Sequence, residues 1–103
     1  MSPIILYISY ALPHCTTEMI RTKFDDLFMN CVLTIAEEVK EDTKNVGKKF
    51  KRFWVNIDNN RYDHNMRFIL ETIVKEGSAK VYYEKTHGVD RFWKVKQVSE
   101  WPF

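Results

Sequence analysis

The stretch from Phe50 to Ile57, FKRFWVNI, decides the fold of this chain. Its pattern is typical of a β-strand, in which successive side chains point to opposite faces of a sheet. One side of the strand carries core residues, namely Phe53, Val55 and Ile57. The other side carries two large aromatics, a guanidinium and an amide, namely Phe50, Arg52, Trp54 and Asn56. This alternation therefore predicts a sheet with one face buried in the core and an opposite face that carries aromatic, cationic and amide side chains.

Four further strands and two helices are predicted around this strand. The strands are rich in β-branched and aromatic residues and are expected at residues 4–10, 31–40, 79–85 and 91–98. A first helix follows a cap at Thr16 or Thr17, and its apolar stripe is Ile20, Phe24, Leu27 and Phe28. A second helix follows a cap at Asp63 and ends at Gly77, and its apolar face is Met66, Ile69, Leu70, Ile73 and Val74, with Phe68 also counted as core. Turns are expected at Asn59-Asn60 and at residues 87–90.

The order of these elements is β-α-β-β-α-β followed by a fifth strand. A chain of 103 residues suits one domain, here with a core at about residues 4–84 and a C-terminal strand extension at about residues 85–103. Both helices must bury their stripes, and one face of an antiparallel sheet can cover them. We therefore predict an α+β, two-layer sandwich of the ferredoxin-like type, with both helices on one face. The other face of the sheet stays open.

Composition limits the classes of function. The formal net charge of +2 excludes a strongly cationic coat but leaves room for a local basic patch. We see no signal peptide and no apolar run of about 20 residues that could span a membrane. The protein is therefore expected inside a cell, in the cytoplasm or nucleus, where Cys15 and Cys31 would be reduced and buried.

No pattern of catalytic or metal-binding residues is found. His14 and Cys15 are adjacent, but the sequence has no CxxC or HxxxH spacing, and His64 and His87 lie apart from them. The three glycines suit turns rather than a phosphate-binding loop. We expect a binding protein that is not an enzyme and has no cofactor.

Alternation along the strands assigns residues to the open face. In the first strand it places Tyr7 and Ser9 there, and in the fourth strand Lys80, Tyr82 and Glu84. The first and third strands are neighbours in the predicted topology, so Tyr7, Arg52 and Trp54 are expected to lie together. Basic residues occur in two stretches of the sequence that could lie at opposite ends of this face. The first stretch, which contains no acid, has Lys44, Lys48, Lys49 and Lys51, and the second has Lys80, Lys85, Arg91, Lys94 and Lys96.

Two of these strands resemble motifs of the RNA recognition motif (RRM) family. Residues 6–12, LYISYAL, resemble its first-strand motif, in which an aromatic second residue stacks on a base. Residues 50–57 resemble its third-strand motif and keep an aromatic, Trp54, and a valine, Val55, at its fifth and sixth positions. Arg52 stands where that motif has its first stacking aromatic. The resemblance covers residues 4–84 in element order, and the later run with Trp93 is also similar to divergent RRM-like proteins of large DNA viruses.

The resemblance implies binding of single-stranded RNA on the open face, with single-stranded DNA as a second ligand. The residues expected to carry this function are Tyr7, Phe50, Arg52, Trp54, Tyr82, Lys48, Lys49 and Lys51. Trp and Arg are also enriched in protein interfaces, so a protein-binding or self-associating module with Trp54 and Trp93 as anchors is the alternative. A third arrangement, in which Trp101 and Phe103 cover the sheet, also stays open.

Overall fold

The computed structural model describes residues 4–58, 64–86 and 88–102. Its elements in chain order are β1 (Ile4–Ala11), α1 (Thr17–Phe28), β2 (Val32–Glu41), β3 (Lys49–Ile57), α2 (His64–Glu76), β4 (Ala79–Thr86) and β5 (Val89–Val98). The predicted order of elements is confirmed, and the predicted strand boundaries are close to the observed ones. The predicted roles of Asn59, Asn60, Asp63, His87 and Phe103 concern residues outside the described ranges.

The strands form one antiparallel sheet in the order β2-β3-β1-β5-β4. The predicted fold class is confirmed: the domain is α+β, with two helices, five strands and a strand order compatible with a βαββαβ fold. β1 and β3 are neighbours, as predicted. The sequence did not predict the place of β5, which lies between β1 and β4 rather than at an edge.

Strand directions follow from this order. Because all neighbouring pairs are antiparallel, β1 and β2 run the same way, and α1 connects them as in a βαβ unit. β3 and β4 run in opposite directions, since β1 and β5 lie between them. α2 therefore connects two opposed strands, whereas α1 connects two parallel ones.

The core lies between the helices and one face of the sheet. From the helices it receives Ile20, Phe24, Phe28, Met66 and Ile73, and from the sheet Leu6, Ile8, Phe53, Val55, Ile57, Val81, Trp93 and Val95. Trp93 is 1% exposed and stacks on Tyr83 with ring centroids 4.3 Å apart. β5 is thus part of the core, although the sequence suggested an extension. Cys15 and Cys31 are buried and are not joined in a disulfide, as expected of small core side chains.

α2 buries a narrower face than predicted. Met66 and Ile73 are buried and Ile69 and Leu70 pack partly against the core. Phe68 and Val74 are 68% and 82% exposed, so the prediction that they belong to the core face is wrong. Residues 66 and 73 are two helical turns apart, and a side chain at 68 or 74 lies well off that line.

Local sequence signals mark the start of α1 and the end of α2. The hydroxyl of Thr16 accepts a hydrogen bond from the Met19 backbone N–H at 3.1 Å, so Thr16 is the N-cap of α1 and Thr17 its first residue. Gly77 follows α2 with φ of +88°, and its N–H donates to the Ile73 carbonyl at 2.7 Å. This left-handed conformation is the one predicted for glycine at a helix C-terminus.

Candidate functional site

The candidate site is the sheet face opposite the helices, called the open face below. Register along the five strands places on it Ile5, Tyr7 and Tyr10 of β1; Thr34, Ala36, Glu38 and Lys40 of β2; Phe50, Arg52, Trp54 and Asn56 of β3; Lys80 and Tyr82 of β4; and Phe92, Lys94, Lys96 and Val98 of β5. The prediction that Phe50, Arg52, Trp54 and Asn56 share one side of β3 agrees with the burial pattern, because the intervening residues Phe53, Val55 and Ile57 are buried.

A pair of aromatic rings stands at the centre of this face. Tyr7 and Trp54 are Cα partners across β1 and β3, and their ring centroids are 5.0 Å apart with planes tilted by 33°. Both side chains are half-buried. Ala36, the partner of Trp54 on the other side, is buried although it lies on the open face. The sequence therefore predicted correctly which rings meet.

Arg52 lies between a ring and a carboxylate. Its guanidinium carbon is 5.7 Å from the centroid of the Phe50 ring, within the range of a cation–π contact. Its Nη1 is 3.7 Å from a carboxylate oxygen of Glu38, the partner of Arg52 across β2 and β3. The same oxygen lies 3.7 Å from the ammonium of Lys40. One acid thus interacts with two cations at the edge of the central ring pair.

Two buried polar atoms lie along β3 on either side of Trp54. The Nε of Arg52 and the Oδ1 of Asn56 have no hydrogen-bond partner within the described ranges. A polar group without a partner typically costs about 1–3 kcal/mol relative to a paired one. The strand therefore keeps an unused donor and an unused acceptor next to the indole.

Cations outnumber acids on the open face. Among the described side chains they are Lys40, Arg52, Lys80, Lys94 and Lys96, against Glu38 and, beside the hairpin turn, Asp90. Lys96 is the Cα partner of Tyr7 and Lys94 follows on the same side of β5, so both flank the central rings. The face is locally positive although the whole chain carries a net charge of only +2.

A β-bulge changes the assignment in β1. Ile8 pairs with Phe53 but Ala11 pairs with Lys51, so β1 has one more residue than β3 in this interval. Ala11 is therefore buried on the helix side, and Tyr10 points to the open face. Tyr10 stacks on Phe50 with ring centroids 5.1 Å apart and planes 21° apart. Simple alternation assigned Ser9 to this face and missed Tyr10.

Lys51 does not lie on the open face with the predicted aromatic site residues. It shares the helix side of β3 with Phe53, and its ammonium is 2.9 Å from a Glu37 carboxylate oxygen and 2.8 Å from the Cys15 carbonyl. Register places Lys49 on this same side of β3, but the ammonium of Lys51 already has partners, so the prediction that it acts with Lys48 and Lys49 gains no support. Lys48 and Lys49 are exposed at the start of β3, beside Phe50.

The loop before β3 uses its acids to hold its own shape. The Asp42 carboxylate accepts hydrogen bonds from the Lys44 backbone N–H at 2.9 Å and from the Asn45 amide at 3.4 Å. These bonds, the one from Lys44 first, hold the pKa of Asp42 below its usual range. The Glu41 carboxylate accepts from the Gly47 N–H at 3.3 Å. Lys48 and Lys49 form no ion pair with any residue that the structure describes.

A second β-bulge lies in β4 and changes which side chains face the helices. Tyr82 pairs with Phe92 and Glu84 with Arg91, so Tyr83 is the extra residue. Tyr82 stays on the open face as predicted, 5.4 Å from Phe92 between ring centroids, and the Lys80 ammonium is 4.7 Å from the Phe92 ring. Glu84, which alternation assigned to the open face, instead forms an ion pair with Arg91 at 3.7 Å on the helix side of the sheet. Phe92 was not among the residues predicted for the site.

Tyr83 packs on the helix side, as alternation predicted. Its ring covers Trp93, and burial is the first cause that raises the pKa of its phenol; the nearby Cys15 thiol is the second. Within the described ranges, no cluster of three or more histidine, cysteine or acidic residues could hold a metal ion. In the same part of the chain, neither helix has the length and apolar character to cross a membrane.

No protein-family model, curated protein or solved structure matches this chain.

Proposed function

We propose that the protein binds single-stranded nucleic acid, RNA in the first place and single-stranded DNA as a second substrate, on its open face. The observation that carries the proposal is the Tyr7–Trp54 ring pair at the centre of a face rich in cations. The similarity of β1 and β3 to RRM motifs supports the same function and is the reason for naming RNA first.

The ring pair suits unstacked bases. Proteins that bind single strands stack successive bases on aromatic side chains, and each stack is worth about 1–3 kcal/mol. Tyr7 and Trp54 are half-buried, pack against each other and lie on the side of the sheet without helices. Arg52 adds a planar cation that can stack or bond a phosphate.

The cations suit the backbone of the ligand. Lys94 and Lys96 flank the rings on the β5 side, Arg52 follows Trp54 on the same side of β3, and Lys40 lies beside Phe50. Lysine and arginine neutralise phosphates and release counterions, so affinity should fall as salt rises. Glu38 offsets part of this charge through its contacts with Lys40 and Arg52.

Titration with fluorescent single-stranded oligonucleotides tests the proposal. We expect wild-type protein to bind at low salt and more weakly at high salt. Trp54→Ala should weaken binding about 5- to 150-fold, the equivalent of one lost stack. Phe68→Ala removes an aromatic ring that is 68% exposed on α2, away from the open face, and should leave affinity unchanged. RNA and DNA of the same sequence form the two arms of the titration.

Two results would contradict the proposal. If wild-type protein bound no oligonucleotide below high micromolar concentration at low salt, nucleic-acid binding would be ruled out. If Trp54→Ala bound as well as wild type, the site would lie elsewhere. Sedimentation without nucleic acid addresses the alternative of a protein interface: a dimer that dissociates in Trp54→Ala would show that the rings bind a second copy instead.

A further inference from the structure

Tyr10 is the most exposed tyrosine of the open face and lies outside the central ring pair. It is 56% exposed, compared with 39% for Tyr82, and its only aromatic contact among the described residues is with Phe50. The bulge between Ile8 and Ala11 turns it outward. It lies three positions after Tyr7 in β1, which corresponds to roughly 10 Å along a strand. A second platform therefore stands at the end of the sheet where β1 ends and β3 begins.

This platform borders a basic cleft. The cleft has a volume of about 370 Å³, and its walls include Tyr10, Phe50, Gly47, Lys48 and Lys49. Lys48 and Lys49 are exposed at its rim. Asp42 also lines it, but its carboxylate already accepts hydrogen bonds from Lys44 and Asn45 within the loop. The cleft thus combines an aromatic wall with two ammonium groups that have no ion pair in the described ranges.

The Tyr10 ring beside Lys48 and Lys49 suits the same ligand as the central ring pair, namely a base with its phosphates. A base can stack on the outer face of Tyr10, because the inner face packs on Phe50. Phosphates of the same strand can reach Lys48 and Lys49. Arg52 connects the two platforms, since its guanidinium lies over Phe50 and its strand neighbour on the open face is Trp54.

We propose that single-stranded nucleic acid occupies a second stacking site formed by Tyr10 and Phe50, with Lys48 and Lys49 on its phosphates. The strand then extends along β1 from the central rings towards the β2–β3 loop. This inference rests on the proposed function, because it assigns a further part of the same ligand to the same face.

A length series of single-stranded oligonucleotides tests the second site. Wild-type protein should gain affinity as the strand becomes long enough to reach from Trp54 to Tyr10. Tyr10→Ala should lower affinity for long strands about 5- to 150-fold and leave affinity for the shortest strand that binds unchanged. Tyr10→Phe keeps the ring and should behave as wild type. Replacing Lys48 and Lys49 together by Gln should reduce the slope of log K against log salt by about 1.4, since each phosphate on a single strand contributes about 0.7.

The outcomes separate this inference from the proposed function. If Tyr10→Ala bound every length as wild type does while Trp54→Ala bound weakly, the second site would be wrong and the central site would stand. If Tyr10→Ala weakened short and long strands equally, there would be one site and no extension. If wild-type protein bound no strand of any length, the proposed function itself would fail. Thermal unfolding of Tyr10→Ala and Tyr10→Phe checks that both variants are folded.

Discussion

Phe53 and Trp54 are adjacent residues with opposite surroundings. Phe53 is 0% exposed between the sheet and the helices, whereas Trp54 is half-buried on the open face. Removing a buried phenylalanine ring leaves a cavity and typically costs about 3–5 kcal/mol. The indole of Trp54 contacts Tyr7 on one side and keeps part of its surface in solvent. The two positions should therefore separate stability from binding.

We predict that Phe53→Ala lowers the free energy of unfolding by about 3–5 kcal/mol and that Trp54→Ala lowers it by less. The measurement is urea denaturation of both variants and wild type. Oligonucleotide titration of Trp54→Ala under folding conditions supplies the second half of the comparison. Equal losses of stability in the two variants would mean that Trp54 is a core residue, and its role in a ligand site would then lose its basis.

The N-terminus of α1 offers a test at the level of the element. Two threonines stand side by side there, and only Thr16 has the extended backbone and the hydrogen bond to Met19 that define a cap. We predict that Thr16→Ala destabilises the protein by about 0.5–2 kcal/mol, because the Met19 N–H loses its acceptor. Thr17→Ala is the matched control and should be neutral or slightly stabilising, since alanine favours helix interiors. Thermal or urea unfolding measures both, and a larger loss in Thr17→Ala would place the cap one residue later.

Strand alternation predicted the centre of the open face and failed at its ends. It placed Tyr7, Arg52 and Trp54 correctly because β1 and β3 pair without interruption from Ile4 to Ile8. The bulge after Ile8 reverses the pattern for Tyr10, and the bulge in β4 does the same for Glu84. The extra residue of a bulge cannot be recognised from the order of apolar and polar residues, so the sequence did not predict either bulge.

Lys51 shows a different limit of pattern analysis. Alternation places Lys51 on the core side of β3, but its charge and its nearness to Lys48 and Lys49 in the sequence suggested a basic patch. Its long stem carries the ammonium past the buried residues to Glu37 and the Cys15 carbonyl at the edge of the core. Charge type alone could not show that this cation already has partners.

At the scale of the whole molecule, the distribution of charge predicts that one acid, Glu38, lowers affinity for single-stranded nucleic acid. Glu38 contacts both Arg52 and Lys40 and is the only acid near the central rings among the described residues. We predict that Glu38→Gln raises affinity for single strands at low salt, because both cations become available to phosphates. Each additional phosphate contact would steepen the salt slope by about 0.7.

Glu71→Gln is the matched control for this change. It alters net charge by the same amount, but Glu71 is exposed on α2, on the other side of the sheet. Titrations of both variants over a range of salt concentrations measure the difference. If the two variants gained equally, overall charge rather than the open face would govern binding.

Fold class and element order could be predicted because helical and strand periodicities are local signals. The place of β5 could not, since its alternation suits an edge and an interior position equally well. Only the pairing of Ile5 to Ile8 with Val95 to Val98 decides it, and that pairing connects the two ends of the chain.

The interior place of β5 has a consequence for synthesis of the chain. On the ribosome, residues 4–86 emerge before the strand that connects β4 to the rest of the sheet. Until Val89 to Val98 arrive, one edge of β1 has no hydrogen-bonding neighbour, β4 has no ladder at all, and the place of Trp93 in the core is empty. A nascent or truncated chain that stops before Val89 should therefore remain incomplete and prone to pair with other strands, because β5, which follows the other six described elements in chain order, is the strand that completes the sheet.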